Sequence, residues 1–188
     1  ATGEVMAIGT CFEQAVMKAV RSIELGLDSL NLPKLRDKRE EEIKALLYNC
    51  DDERIFVVYE AIKRGIGIDE IFNITKIDRW FLYKLKNLIE MEQDISCGEL
   101  TQEKYKRAKD MGFLNSTIKK LSGQKLPEKL FASYKMVDTC AAEFKAETPY
   151  FYSTFDEDNE AKEFIEEHID NRKKILVFGS GPIRIGQG

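Results

Sequence analysis

The chain has 188 residues, 43% of them hydrophobic and 33% charged, the balance of a folded globular protein and not of a disordered or fibrous one. Its 29 basic and 33 acidic residues leave a net charge of -4, which argues against a broad nucleic-acid-binding face. No run is long and apolar enough to span a membrane, and Ala1 to Met6 has no basic stretch ahead of an apolar one, so a cytoplasmic protein is expected.

From about residue 10 to residue 135 the pattern predicts helix after helix. Thr10 and Glu13 have capping-box spacing. Phe12, Val16, Ala19, Val20 and Ile23 then share a helical face, with Gly26 as a stop. Asn31-Leu32-Pro33 breaks the chain. A charged helix is expected over Asp37–Asn49, buried through Ile43, Leu46 and Leu47. Asp51-Asp52 is read as the cap of a largely apolar helix that ends near Gly65 and is central to the core. A short helical segment covers Ile68–Ile74.

Asp78 caps a longer helix, with Ile77 and Leu82 placed as a hydrophobic staple. Trp80, Phe81, Leu85, Leu88 and Ile89 form its broad apolar face, and Trp80 and Phe81 are read as core. Leu100-Thr101 repeats the capping device, with Leu100 against Tyr105 and a stop at Gly112. Asn115-Ser116 opens another short helix that ends at Gly123, making 101–123 a helical hairpin. Pro127 suits the first turn of a further helix.

After Tyr134 the texture changes. Residues 135–144 have no clear period, and 148–155 is aromatic and β-branched, so extended. Residues 156–170 are acidic, a linker with some helix. Ile175, Leu176, Val177 and Phe178 suit a strand buried on both faces, followed at once by the glycine-rich loop Gly179–Gly188. Such a loop normally leads into a helix with its N–H groups facing a phosphate or another segment. The expected fold is therefore mainly α: an irregular all-helical domain, an extended segment, and one β-strand of a truncated α/β domain. The chain reads as a piece of a larger enzyme.

Few residues suggest chemistry. Cys11, Cys50, Cys97 and Cys140 form no Cys-x-x-Cys pair and His168 is the sole histidine, so four reduced, mostly buried thiols are expected, with no metal and no cofactor held by this chain. Asp138, Cys140 and Glu143 lack a histidine near in sequence to activate the thiol, and nearby carboxylates raise a thiol pKa, so they read as packing. No catalytic residue is assigned. The run Lys104, Lys106, Arg107, Lys109 reads as a solvated helix face. The terminal glycines, at 179, 181, 186 and 188, match neither Gly-x-Gly-x-x-Gly nor a Walker loop.

Four segments, in one order, resemble the large chain of carbamoyl-phosphate synthase. Gly3–Gly9 looks like the end of that family's first ATP-grasp half, and Ile77–Leu82 like a helix start in its helical oligomerisation domain. Met136–Phe144, followed by Thr148-Pro149-Tyr150, is similar to the segment closing that domain. Gly179–Gly188 is similar to the opening loop of the second synthetase half. The resemblance divides the chain into 1–9 (first half), 10–155 (helical domain), 156–172 (linker) and 173–188 (second half).

The same resemblance implies an enzyme, a ligase, making carbamoyl phosphate from bicarbonate, glutamine-derived ammonia and two ATP for pyrimidine and arginine synthesis. It implies Mg or Mn, and K, in the parent enzyme. The implied partners are the other domains of the large chain, a glutamine amidotransferase small subunit and a further copy through self-association, with no nucleic acid and no membrane. Gly181, Arg184 and Gly188 look like positions beside the internal carbamate passage, where a glycine keeps the bore open and an arginine faces an anion. Shaping a tight turn is the competing role for them. The alternative for the whole chain is a stand-alone helical interaction module fused to an unrelated nucleotide-binding domain.

Overall fold

The computed structural model describes residues 5–23, 25–144, 146, 148, 150–167 and 172–178. Among these are eight α-helices: α1 (Phe12–Ser22), α2 (Glu40–Leu46), α3 (Arg54–Lys63), α4 (Ile68–Thr75), α5 (Arg79–Ser96), α6 (Gln102–Asp110), α7 (Asn115–Ser122) and α8 (Glu160–Glu167). A short hairpin, β1 (Ser133–Met136) and β2 (Phe151–Thr154), lies between α7 and α8. The protein is mainly α, as the sequence predicts.

Helix α5 is the axis of the molecule. Its 18 residues are about 27 Å long, and it packs on α1, α3, α4, α6 and α7. Leu82, Leu85, Leu88, Ile89 and Ile95 recur at helical spacing and are all buried. Each such side chain contributes about 1.5–3 kcal/mol by leaving water. The Asp78 carboxylate starts the helix by accepting from the Trp80 N–H at 2.7 Å. Helix α3 buries Phe56, Val57, Val58, Tyr59, Ala61 and Ile62, because it is covered by α2, α4 and α5.

Several helix starts differ from expectation. The cap of α1 is Cys11, whose Sγ accepts from the Gln14 N–H, so the Thr10–Glu13 box does not form. Glu53, with no side-chain cap, precedes α3, and Asp51 instead accepts from the Glu53 N–H. Leu114 precedes α7, while Asn115 is spent on the Tyr105 hydroxyl at 3.0 Å. Thr101 does cap α6. No helix follows Pro127; residues 127–132 are irregular and lead into β1.

At the other end of α6, Gly112 (φ +89°) turns the chain back. The Gly112 N–H reaches the Lys109 carbonyl and the Phe113 N–H the Ala108 carbonyl, the paired bonds of a Schellman stop. A Cβ there would also stand 3.1 Å from the Met17 Cβ and 3.2 Å from the Gln14 Cα.

The hairpin is antiparallel, with Ser133 opposite Thr154 and Met136 opposite Phe151. Helix α8 packs on β1: Glu160 accepts from the Met136 N–H at 2.6 Å, and the rings of Phe164 and Phe151 meet edge to face. Ile175–Phe178, expected as a buried strand, is exposed and has no strand partner among the described residues. A buried strand requires neighbouring strands, and the described sheet consists of β1 and β2 alone. The thiols are free, but Cys50 and Cys97 are exposed and Cys11 and Cys140 only partly covered, against the expectation of burial.

Gly112→Ala combines a left-handed backbone with a close approach to α1, and a loss of about 1–3 kcal/mol in denaturant-unfolding free energy is expected.

Candidate functional site

The site begins with an ammonium group that has left much of its water. Lys18, in the middle of α1, donates from Nζ to the Ile8 carbonyl at 2.8 Å and to the Ser153 carbonyl at 2.8 Å. Ile8 lies on the segment that leads into α1, and Ser153 lies on β2, 135 residues away from Lys18 in sequence. The Tyr152 ring stands 5.5 Å from the same nitrogen. Burial, helped by the charge of Arg21, lowers the Lys18 pKa from its usual value, so the two carbonyls do the work that hydration does elsewhere. Each hydrogen bond from a charged donor contributes about 1.5–3 kcal/mol.

The incoming and outgoing segments thus run side by side across one face of α1. Met6, Ile8, Lys18, Arg21, Phe151 and Ser153 are among the walls of a cleft of about 460 Å³ between them. Gly9 lets the incoming segment close in, since a Cβ there would lie 2.7 Å from Gln14 Oε1 and 3.0 Å from the Ala15 nitrogen. The buried Gln14 accepts from the Thr10 N–H at 3.0 Å and donates to the Asp110 carbonyl at 3.2 Å. Arg21 donates to the Gly112 carbonyl at 3.0 Å. One face of α1 therefore holds the incoming segment, β2 and the end of α6.

Beside this junction Phe12, Trp80 and Phe81 form a three-ring cluster, with centroids 5.0–5.5 Å apart and edge-to-face or tilted packing. Contrary to the sequence expectation Trp80 and Phe81 are surface residues, 52% and 44% exposed, while Phe12 is partly buried against the core. Behind them Glu13 is buried and accepts from Asn87 at 2.8 Å, with Lys84 at 3.4 Å. Burial alone would raise the Glu13 pKa, but the Asn87 bond, its own N–H and Lys84 outweigh it and hold the carboxyl below its ordinary value.

A second polar knot fixes the long connection between α1 and α2. Glu92 is buried, accepting from Asn31 at 2.6 Å and pairing with Lys63 at 3.2 Å. Burial, with Glu92 close by, pushes the Tyr59 phenol far up. Arg64 reaches the carbonyls of Leu35, Arg36 and Lys38 while paired with Glu60. These groups order backbone.

Gly181, Arg184, Gly188 and His168 lie outside the described residues. Asp138 closes a turn by accepting from the Cys140 and Ala142 N–H groups at 2.8 and 2.7 Å; it and Glu143 are exposed, where packing was expected. The basic run is not a free solvated face. Lys104 bonds the Asp94 and Cys97 carbonyls, Lys106 pairs with Asp110, Arg107 lies near Asp94, and the buried Lys109 donates to the Phe113 carbonyl. Lys18, on which the junction turns, was not singled out by the sequence; its place on the polar edge of α1 gives no signal of a partner 135 residues on. No group of three His, Cys, Asp or Glu residues that could hold a metal occurs among the described residues, and none of their helices is long and apolar enough to cross a membrane.

These features define a helical domain, a body built on α5 with the segment ahead of α1 and strand β2 pinned together on α1. The family model described as "Carbamoyl-phosphate synthetase large chain, oligomerisation domain" matches residues 4–136, and the chain belongs to that family. It is 49% identical over 197 residues to a carbamoyl phosphate synthase large chain of Lachnoclostridium phytofermentans. It is 46% identical over 196 residues to that of Agathobacter rectalis and 44% over 195 to that of Methanothrix thermoacetophila. Each alignment takes in 100% of this chain and 18% of the relative. Because it runs through the terminal glycine loop, the alternative of an unrelated appended domain loses its support.

Glu13 gives the junction a pH signature. Its folded pKa lies below the ordinary 4.5, so its stabilisation is present above that value and is lost as pH falls through the folded pKa. Glu13→Gln is expected to flatten the acid limb of the Tm–pH curve below pH 4.5, measured by differential scanning calorimetry.

Proposed function

We propose that this chain is the helical connector of a glutamine-dependent carbamoyl-phosphate synthase large chain, holding two ATP-grasp synthetase halves in register. The observation that carries the reading is the pair of hydrogen bonds donated by Lys18, which brings the segment ahead of α1 and strand β2 to one face of α1. On this reading residues 1–9 end the half that forms carboxyphosphate and carbamate. Residues 10–155 are the connector and 156–172 a linker. Residues 173–188 open the half that phosphorylates carbamate, with Gly181, Arg184 and Gly188 beside the carbamate passage.

The parent enzyme then makes carbamoyl phosphate from bicarbonate, ammonia released from glutamine by a small amidotransferase subunit, and two ATP. It is a cytoplasmic ligase serving pyrimidine and arginine synthesis, and it uses Mg or Mn, and K. Those groups belong to the synthetase halves, and the connector itself has no catalytic residue. Its own contributions are geometric: it fixes where the halves leave the helical body, and it offers a surface for self-association, which light scattering measures.

Two measurements test this. The isolated chain is expected to show no bicarbonate-dependent ATP hydrolysis, and such activity from pure chain overturns the reading. In the full-length protein Lys18→Met is expected to leave the partial reaction of each half in place while lowering coupled carbamoyl phosphate synthesis by up to about 100-fold, the scale on which a misplacement of about 1 Å acts. Unchanged coupling would show that Lys18 does not set the register of the halves.

A further inference from the structure

Nine large aromatic side chains stand exposed among the described residues, and their distribution is uneven. Phe131, Tyr134, Phe144, Tyr150 and Phe178 belong to the outgoing part of the chain. Trp80, Phe81 and Tyr83 sit at the start of α5, where the first two pack on Phe12 at the start of α1. Tyr48 alone lies elsewhere. Apolar rings left in water are unfavourable unless something covers them, and here they collect where the chain arrives and where it leaves.

We propose that the surface formed by Trp80, Phe81 and Tyr83, backed by the partly buried Phe12, is the seat of the synthetase half into which the incoming segment continues, so that Trp80 is covered from within its own polypeptide. This rests on the connector reading above and names the partner of one of its surfaces.

Three observations carry it. First, the leash is short. Lys18 fixes Ile8, and only three residues lie between Ile8 and Phe12, a span of at most about 14 Å of chain. A folded body attached just ahead of Ile8 is held against that end of α1 at high effective concentration.

Second, the surface is preorganised. Trp80 is held edge to face by Phe12 and Phe81, and Lys84 stands 5.3 Å from its ring, itself tied to the buried Glu13. A large aromatic already fixed in place loses little freedom on being covered, as binding hot spots require. Tyr83 follows Trp80 by three residues and extends the same side of the helix.

Third, the charges oppose self-pairing. A two-fold contact centred on Trp80 would place the Lys84 ammonium of one copy near that of the other, each with its carboxylate partner buried behind it. A different surface, with acceptors at the rim, has no such conflict.

Trp80 is the sole tryptophan of the 188-residue chain, which makes it its own reporter. Fluorotryptophan is incorporated into this chain and into the full-length protein. The Trp80 fluorine resonance is assigned by its loss in Trp80→Phe, and exposure is read from the shift between H2O and D2O. Trp80 is expected to be solvent-exposed in the isolated chain at every concentration and to lose the solvent shift in the full-length protein. Phe81→Ser in the full-length protein is expected to restore it while other fluorine resonances stay in place.

A solvent shift retained in the full-length protein overturns the proposal. So does a shift lost in the isolated chain as concentration rises, because a second copy then covers the ring. The mass of the full-length protein and its limited-proteolysis map show separately whether a folded half precedes Val5. If none does, the connector reading falls too; an exposed Trp80 in a protein with both halves intact sinks this proposal alone.

Discussion

An ammonium group removed from water must find acceptors, and in this molecule the choice of acceptors sets the architecture. Lys18 could have paired with a carboxylate on its own helix, giving a local contact of small consequence. It instead takes two main-chain carbonyls, one just ahead of α1 and one on β2. Carbonyls cannot rotate away as side chains do, so the bonds fix backbone to backbone through α1. Gly9 and Gln14 then bring the incoming segment against the helix, and Arg21 and Gly112 bring in the end of α6.

The same device recurs through the fold. Short helices have many ends, and every helix end leaves carbonyls without intrahelical partners. Arg54 donates to the Thr75 carbonyl at the end of α4, Lys104 to the last carbonyls of α5, and Lys109 to the Phe113 carbonyl beyond α6. Arg64 does this for the irregular chain before α2. Cations suit these places because the helix dipole is negative there. Much of the high charge content therefore serves the backbone, which is how an irregular domain keeps one conformation without long regular helices.

What could be read from sequence follows from whether the signal is local. Asp78 and Thr101 were legible as caps because a cap acts within three residues, and Gly112 because a left-handed stop is a property of one residue. Thr10 misled because Cys11, one residue on, has a side-chain acceptor of its own and Gln14 bonds the Thr10 N–H. Trp80 and Phe81 misled differently: their apolarity says that they are to be covered, and nothing local says by what. Ile175–Phe178 poses the same problem, since its apolar run calls for a sheet and β1 and β2 do not extend to it. The Lys18 clamp was invisible because a lysine on the polar edge of a helix looks alike whether it meets water or a strand far along the chain.

Pinning the segment ahead of α1 to β2 has a mechanical consequence. If those segments emerged at opposite ends of α5, bending of the helical body would change the separation of whatever they carry by several ångströms. Side by side on α1, they share one reference, and deformation elsewhere acts on both alike. Helix α2 packs on α3 and α7 on α5 and α6, and neither α2 nor α7 supplies a partner to Lys18. Under the proposed reading this separates two tasks. The α1 face sets the register of the halves, while the outer helices can meet other chains without altering it.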